Sequence, residues 1–391
     1  MTEGKRVDYV RSINRLLIVL VIALGVAVLY AAKTFIIPFV VALIIFFVLT
    51  NFENLISKAI KGIFSFFRKK EFSKKANYTI SAVSLVLSLT ISLVLLFFFY
   101  KIMSNNFDAM LSNTTKYQML LNGKIVQFNK VVRDSHINTA EGNANISPFQ
   151  QIISMIPESH LPIIDNKIIN EINFSNLFNR IGGFAGKSIA NSTFVFVYLL
   201  FLYGERKNFH KKIEKIRENN TKFEKLDKAV REIGNNLVGY FNIKTIVSVA
   251  TAATCYPVMA YFGLDFVWLW AFMTFILNYI PTIGSIVAVI MPCILGLILF
   301  DNVIDAVFMA LILTSIQFTI GSVIEPKFQG ARLNLAPIMI LLSLAVWGAI
   351  WGVVGMFLAV PIMVTINFAL AQFETTKPLA MFFSSNGDIK D

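Results

Sequence analysis

From Thr245 to Pro326 the chain runs for more than 80 residues without a lysine or an arginine. Its only acids there are Asp265, Asp301, Asp305 and Glu325. A stretch this apolar and this long has to be kept from water on every side, and a lipid bilayer does that for a chain of any length. The whole sequence agrees. It is 56% hydrophobic and 15% charged, against about 25% charged in a soluble domain. Mean hydropathy is +0.67. This excludes a soluble enzyme, a fibrous protein, a disordered chain and a disulfide-stapled secreted domain. The apolar residues come in runs and do not alternate, which argues against an outer-membrane barrel. The fold class is therefore all-α: a polytopic helical membrane protein.

A crossing needs ~20 mostly apolar residues. Leu16 to Ala32 and Thr34 to Thr50 are the first two runs, separated only by Lys33. They predict a tight helical hairpin with Lys33 snorkelling at its turn. No small-residue cleavage site closes the first run, so a membrane helix is preferred to a signal peptide. Tyr78 to Tyr100 is the third run and Ser188 to Tyr203 the fourth. The net charge of +12 sits beside these spans, at the N-terminus, in the Lys58 to Lys75 loop and in the charged stretch 205–244. That is the positive-inside pattern, so nucleic acid is not expected as a partner, and both termini are assigned to the cytoplasm.

The organisation expected is a hairpin, basic loop and third span over 1–100, and a polar extracytoplasmic insert over 101–187. A fourth span and charged cytoplasmic helix follow over 188–244, then a transport core over 245–372 and a cytoplasmic tail over 373–391. The insert reads either as a small helical cap or as a gate or partner surface. Within 205–244, Phe209, Ile213, Ile216, Phe223, Leu226, Val230, Ile233, Leu237 and Tyr240 step by three and four. Such a stripe packs on the protein's own short helix near Phe52 to Phe67, contacts another subunit, or lies on the membrane.

The core holds two simple spans, Thr245 to Phe262 and Asn302 to Val323, and two long runs that are interrupted. Phe266 to Phe300 is broken at Asn278-Tyr279-Ile280-Pro281-Thr282-Ile283-Gly284. Asn334 to Ala371 contains Pro337, Gly352, Gly355 and Pro361. With the runs before them they make about eight membrane segments. Broken backbone survives at membrane depth only inside protein or beside a polar cavity, and paired interrupted segments point to a transporter's binding site. Asn278 precedes Pro281 by three, as Asn334 precedes Pro337, which is a weak hint of an internal repeat.

Glu325 is the leading site candidate, because a carboxylate at the end of an apolar span is expensive unless paired or functional. It reads either as an interfacial salt bridge with Lys327 or Arg332, or as a coupling acid. Asn278 and Asn334 each either contact a solute or patch a broken helix. Thr314 and Gln317 share a helix face and are expected to line the same cavity. Pro281, Gly284 and Pro337 shape the breaks, and Gly321, Gly330, Gly352 and Gly355 permit close packing or hinge motion. Trp268, Trp270, Trp347 and Trp351 read as interfacial anchors or as stacking surfaces for a substrate. Cys255 and Cys293 read as inert buried thiols, and no Cys/His set has metal spacing. There is no phosphate-binding loop and no nucleophile motif, so neither an enzyme nor a cofactor is expected.

Asn278-Tyr-Ile-Pro-Thr-Ile-Gly-Ser285 with Pro292 resembles a signature of the autoinducer-2 exporter family of bacterial permeases. Glu325-Pro-Lys-Phe-Gln-Gly-Ala-Arg-Leu-Asn-Leu-Ala-Pro337 resembles the second signature, and the likeness continues through Ser343, Trp347-Gly348, Gly352, Gly355 and Leu358 to Pro361. The resemblance implies about eight membrane helices, a homo-oligomer with a pentamer as the candidate form, and export of small molecules. Some relatives look like sodium or proton antiporters instead. The expected function is export or permeation of a small polar metabolite, autoinducer-2-like, by alternating access. The alternatives are Na+(Li+)/H+ antiport through Glu325 and, from another class, a scaffold that organises partners. The expected partners are the lipid bilayer, the solute and H+ or Na+.

Overall fold

The computed structural model describes residues 23–67, 74–140, 193–206, 221–329 and 334–385, with a few single residues between these stretches. Every regular element among them is helical. The first is α1, Ala23–Ala31, which meets α2, Lys33–Phe67, at an angle of 82°. The expected hairpin is thus a sharp bend and not a reversal. Helical hydrogen bonding runs through the corner, with the Ala32 amide donating to Val28 and the Ile36 amide to Ala32, so no loop is available to turn the chain back. The Lys33 ammonium lies 4.0 Å from the centre of the Tyr30 ring at this corner.

Two boundaries read from polarity are not helix boundaries. Helix α3, Lys74–Ser112, continues through Tyr100 into the polar insert, because no glycine or proline interrupts it. Helix α4, Thr114–Ala140, follows it, and 141–187 lie outside the described residues. Residues 193–206 form α5, which overlaps the fourth run and passes its end at Tyr203. Helix α6, Thr221–Tyr261, joins the charged stretch and the next span into one rod. Phe209, Ile213 and Ile216 of the apolar stripe lie outside the described residues.

The core comprises α7 (Val267–Leu277), α8 (Ile283–Leu299), α9 (Val303–Phe318), a π-helical turn (Thr319–Ile324), α10 (Glu325–Gln329), α11 (Pro337–Trp351), α12 (Val353–Ala371) and the short α13 (Lys377–Phe383). Among the described residues, Gly234–Tyr261, Val303–Gln329 and Val353–Ala371 are each long and apolar enough to cross a membrane. At 1.5 Å per residue, the 11 residues of α7 reach only about 16 Å of a roughly 30 Å hydrocarbon layer. Each broken run therefore folds as a helical pair.

The pairs α7–α8 and α11–α12 share one device. A Cβ on Gly284 would lie 1.7 Å from the Leu277 carbonyl oxygen, and one on Gly355 would lie 1.8 Å from that of Trp347. In each pair the first turn of the second arm presses on the last turn of the first, and only glycine fits. The internal correspondence thus links Gly284 with Gly355, not Asn278 with Asn334. Asn278 caps the end of α7, whereas Asn334 precedes the start of α11, where Pro337 takes the first-turn position it favours. The second break falls instead at Gly352, with φ 65°.

Met259, Leu269, Trp270, Leu295, Met309 and Leu313 make the main core between α6, α7, α8 and α9. Tyr279 stacks on Phe357 at 4.8 Å and ties the two helical pairs together. Two of the tryptophans expected at the interface are buried, Trp270 in that core and Trp351 against α1, where its Nε1 donates to the Leu29 carbonyl at 3.2 Å. Helix α4 straps two turns of the core. Tyr117 Oη donates to Asp265 at 3.0 Å, and Lys124 Nζ donates to the carbonyls of Phe300 and Asp301 at 2.6 and 3.0 Å. Burial and the bond to Asp265 push the Tyr117 phenol up from its ordinary value.

Gly355→Val should cost about 3 kcal/mol or more, because backbone has to move to admit the side chain. Gly321, with nothing within 4 Å of an added Cβ, should accept Ala with little change. Thermal unfolding of both purified variants in the same detergent checks the contrast. Equal melting temperatures would contradict the arm-on-arm contact.

Candidate functional site

Helices α8 and α9 are joined by only three residues, and an added Cβ on Gly296 would meet the Met309 side chain, so the two run antiparallel. That register sets Pro281 and Thr282 level with Glu325, and Ile290 level with Thr314. Between these helices and α6 lies a cavity of about 540 Å³. It is lined by Lys244, Pro281, Thr282, Ser285, Thr314, Gln317, Gly321, Ser322 and Glu325, with Ile286, Val289, Ile290 and Phe318 completing its apolar side. The volume suits a small ligand.

An ion pair closes one end. Lys244 Nζ and Glu325 Oε1 are 2.5 Å apart, with the two side chains 4% and 13% exposed. Gln329 Nε2 donates to the same oxygen at 2.8 Å. The partner expected for Glu325 was Lys327 or Arg332. Lys327 is two residues on, on a different face of the same short helix, and is exposed, while Arg332 lies outside the described residues. Lys244 escapes a reading by polarity because it closes a charged stretch and looks like its last surface cation. The available signal was Glu325 itself: a carboxylate ending an apolar span needs a cation, and Lys244 is the last one before the cation-free stretch.

Three backbone or side-chain departures converge on this cavity. Thr282 has φ 62° and ψ −61°, a conformation that a β-branched residue rarely takes and that costs of order 1–3 kcal/mol. The π-helical turn places Gly321 and Ser322 on the wall and Glu325 at its end, and such turns concentrate at functional sites. Gln317 is buried, yet its Nε2 has no hydrogen-bond partner among the described residues. A buried donor left unmade costs about 1–3 kcal/mol, which a ligand's acceptor oxygen would recover.

The structure thus brings together Pro281, Thr314, Gln317, Gly321 and Glu325 of the residues expected from sequence. Asn278 is not on the cavity. It is buried and its Nδ2 donates to Ser248 Oγ at 3.1 Å, so it patches the break to α6. Gly284 packs between the arms of its pair, as does Gly355 in the other. Asn334 and Pro337 lie at the start of α11 and Gly352 between α11 and α12, away from the cavity, and Asn334 Oδ1 accepts from Ser385 Oγ at 3.0 Å. Gly330 and Arg332 lie outside the described residues. Among the described residues no group of three His, Cys, Asp or Glu is placed to hold a metal.

Lys244→Ala should cost about 3–5 kcal/mol by leaving the Glu325 carboxylate without its cation. The double variant Lys244→Met with Glu325→Leu should regain most of that stability, read by thermal unfolding. A double variant as unstable as the single one would contradict a pair that is replaceable for folding. Thr282→Gly should raise stability by about 1 kcal/mol through relief of the strained backbone. A lowered melting temperature would show that the threonine is held there at no cost.

The model of the AI-2E family transporter matches residues 16–375. A protein of Borreliella burgdorferi, described in general terms as a transport protein, is 33% identical over 234 residues, 57% of this chain and 63% of the relative. A similarly described protein of Haemophilus influenzae is 34% identical over 167 residues, covering 43% and 47% of the two chains. The AI-2 transport protein TqsA of Escherichia coli K12 is 31% identical over 156 residues, covering 40% and 45%. The chain spans between about half and just under two thirds of the length of these relatives. With the family match extending over nearly all of its length and a polytopic helical architecture, this chain belongs to the AI-2E transporter family.

Proposed function

We propose that the protein moves a small polar metabolite across the bacterial inner membrane, outward, through the cavity between α6, α8 and α9. The observation that carries this is the unpartnered Gln317 amide, buried on a cavity wall beside a strained break and a closed ion pair. A polar solute supplies the missing acceptor. Hydroxyls of Thr282, Ser285, Thr314 and Ser322 surround the same space. An alternating cycle fits the parts. The Lys244–Glu325 pair closes the end next to the charged half of α6, assigned to the cytoplasm by its cations, and opens when the π-helical turn shifts. The name of TqsA makes autoinducer-2 the first solute to try. Assembly as a homo-oligomer and cytoplasmic termini belong to the same reading.

A second reading, Na+/H+ antiport, is favoured by the ion pair alone. A sodium ion binds the Glu325 carboxylate in place of Lys244, whose ammonium gives up one proton to become the neutral amine, so one Na+ is taken for one H+ released. The two readings separate in liposomes. Under the first, vesicles loaded with autoinducer-2 should release it at least about tenfold faster than empty-lipid controls, and Gln317→Leu should reduce the rate to within about twofold of background. Under the second, a sodium gradient should drive proton flux that Glu325→Gln abolishes. Solute release unchanged by Gln317→Leu would contradict the cavity as the route. Sodium-driven proton flux that survives Glu325→Gln would contradict antiport.

A further inference from the structure

The cavity differs in chemistry between its depth and its mouth. At depth are the Lys244–Glu325 pair and Gln317, itself 6% exposed with its Nε2 unpartnered among the described residues. At the mouth stand Ile286, Ile290 and Phe318, 52%, 48% and 65% exposed. Exposed Thr282, Thr314 and Ser322 stand among them, but an opening onto water would leave all three large apolar side chains of this ring hydrated. The same ring set against acyl chains carries no such penalty. Phe318 belongs to the membrane-length stretch Val303–Gln329, and the two isoleucines lie on the helix packed beside it. The mouth therefore faces the hydrocarbon layer.

We infer that the cavity admits its ligand sideways from the bilayer and takes an uncharged amphiphile. A hydroxyl or carbonyl oxygen accepts from Gln317 Nε2, and an apolar body lies between Ile286, Ile290 and Phe318. This rests on the transport reading above and changes its solute from a wholly polar metabolite to one with a polar head and an apolar body. The head is uncharged because Lys244 and Glu325 already neutralise each other. At roughly 30 Å³ per water-sized group, the space holds a ligand on the order of 10–20 non-hydrogen atoms.

A second groove gives an internal contrast. It measures about 500 Å³ and is lined on α6, α9 and the π-helical turn by residues that include Thr254, Leu311, Ile312, Ser315 and Ile316. Its size is similar, but two of its three hydroxyls are spent locally: Thr254 donates to the Ala250 carbonyl, and Ser315 to that of Leu311 at 2.7 Å, while the third, Thr319, is exposed. It has no unpartnered buried donor among the described residues, so it holds an acyl chain without preference for an oxygen.

The test uses the full chain in liposomes with two photoactivatable probes, a diazirine-bearing octanol and the matching octane without the oxygen. Labelling is read residue by residue by mass spectrometry. The alcohol should label Ile286 and Ile290 about three- to tenfold more than the hydrocarbon does, the range that one neutral hydrogen bond supplies. At Leu311 and Ile312 the ratio should stay near one. Gln317→Leu should bring the first ratio to near one as well, and Gln317→Met serves if the leucine variant fails to fold. A ratio near one at both grooves in the wild type would overturn the inference. So would labelling of Leu311 with none at Ile286 and Ile290, the outcome if water or another copy covers the mouth. Labelling needs no transport, so the two readings fail separately. Selective labelling without flux of any solute overturns only the transport reading, and flux of polar solutes without selective labelling overturns only this one.

Discussion

A backbone that leaves its helix inside a bilayer has to find hydrogen-bond partners within the protein. The chain from Asn278 to Thr282 shows how that requirement organises the core. The Ile280 amide donates to Leu277, the Gly284 amide returns to Ile280, and Pro281 has no amide to satisfy. Asn278 ties the segment to Ser248 on α6, and the Tyr279 hydroxyl meets that of Thr245 at 2.7 Å on the same helix. The break is therefore held by α6 from two points. The same helix carries Lys244, so whatever fixes the break also aims the cation at Glu325.

The site follows from that arrangement. The wall sets apolar side chains against hydroxyls, one amide and the ion pair, and some of its polar residues stand where backbone geometry is unusual. Thr282 sits at the strained end of the break and Glu325 at the end of the π-helical turn. An ion pair this buried is weak evidence for stability, since apolar residues of similar volume hold a fold as well. Under the proposed cycle its value lies in being breakable: a pair with two alternatives, closed or solvated, is what a gate requires.

Much of this was legible in the residues. Runs of apolar residues predicted the helices, and Pro281 with Gly284 predicted the first break. Thr314 and Gln317, three apart, were expected on one face and both line the cavity. What escaped was of two kinds. Helix continuity across a change of polarity does not show in composition: α3 passes Tyr100 with no glycine or proline in its way, and α6 passes Lys244 even though it contains Gly234, Gly239 and Pro257. Partners distant in sequence do not show either. Lys244 and Glu325 are joined by the packing of α6 on α10, and Gly284 and Gly355 are alike only because both lie under a carbonyl. The four-residue likeness of Asn278–Pro281 and Asn334–Pro337 marked two unrelated places, a helix end and a helix start.

The central claim is that solute passes through the space beside Ser285. A single cysteine there, with Cys255 and Cys293 replaced by alanine, allows a direct measurement. A bulky membrane-impermeant thiol reagent is applied to sealed vesicles during solute efflux. The account predicts that modification at position 285 stops efflux in proportion to its extent, and that excess solute slows the modification. Complete modification with undiminished efflux would contradict it.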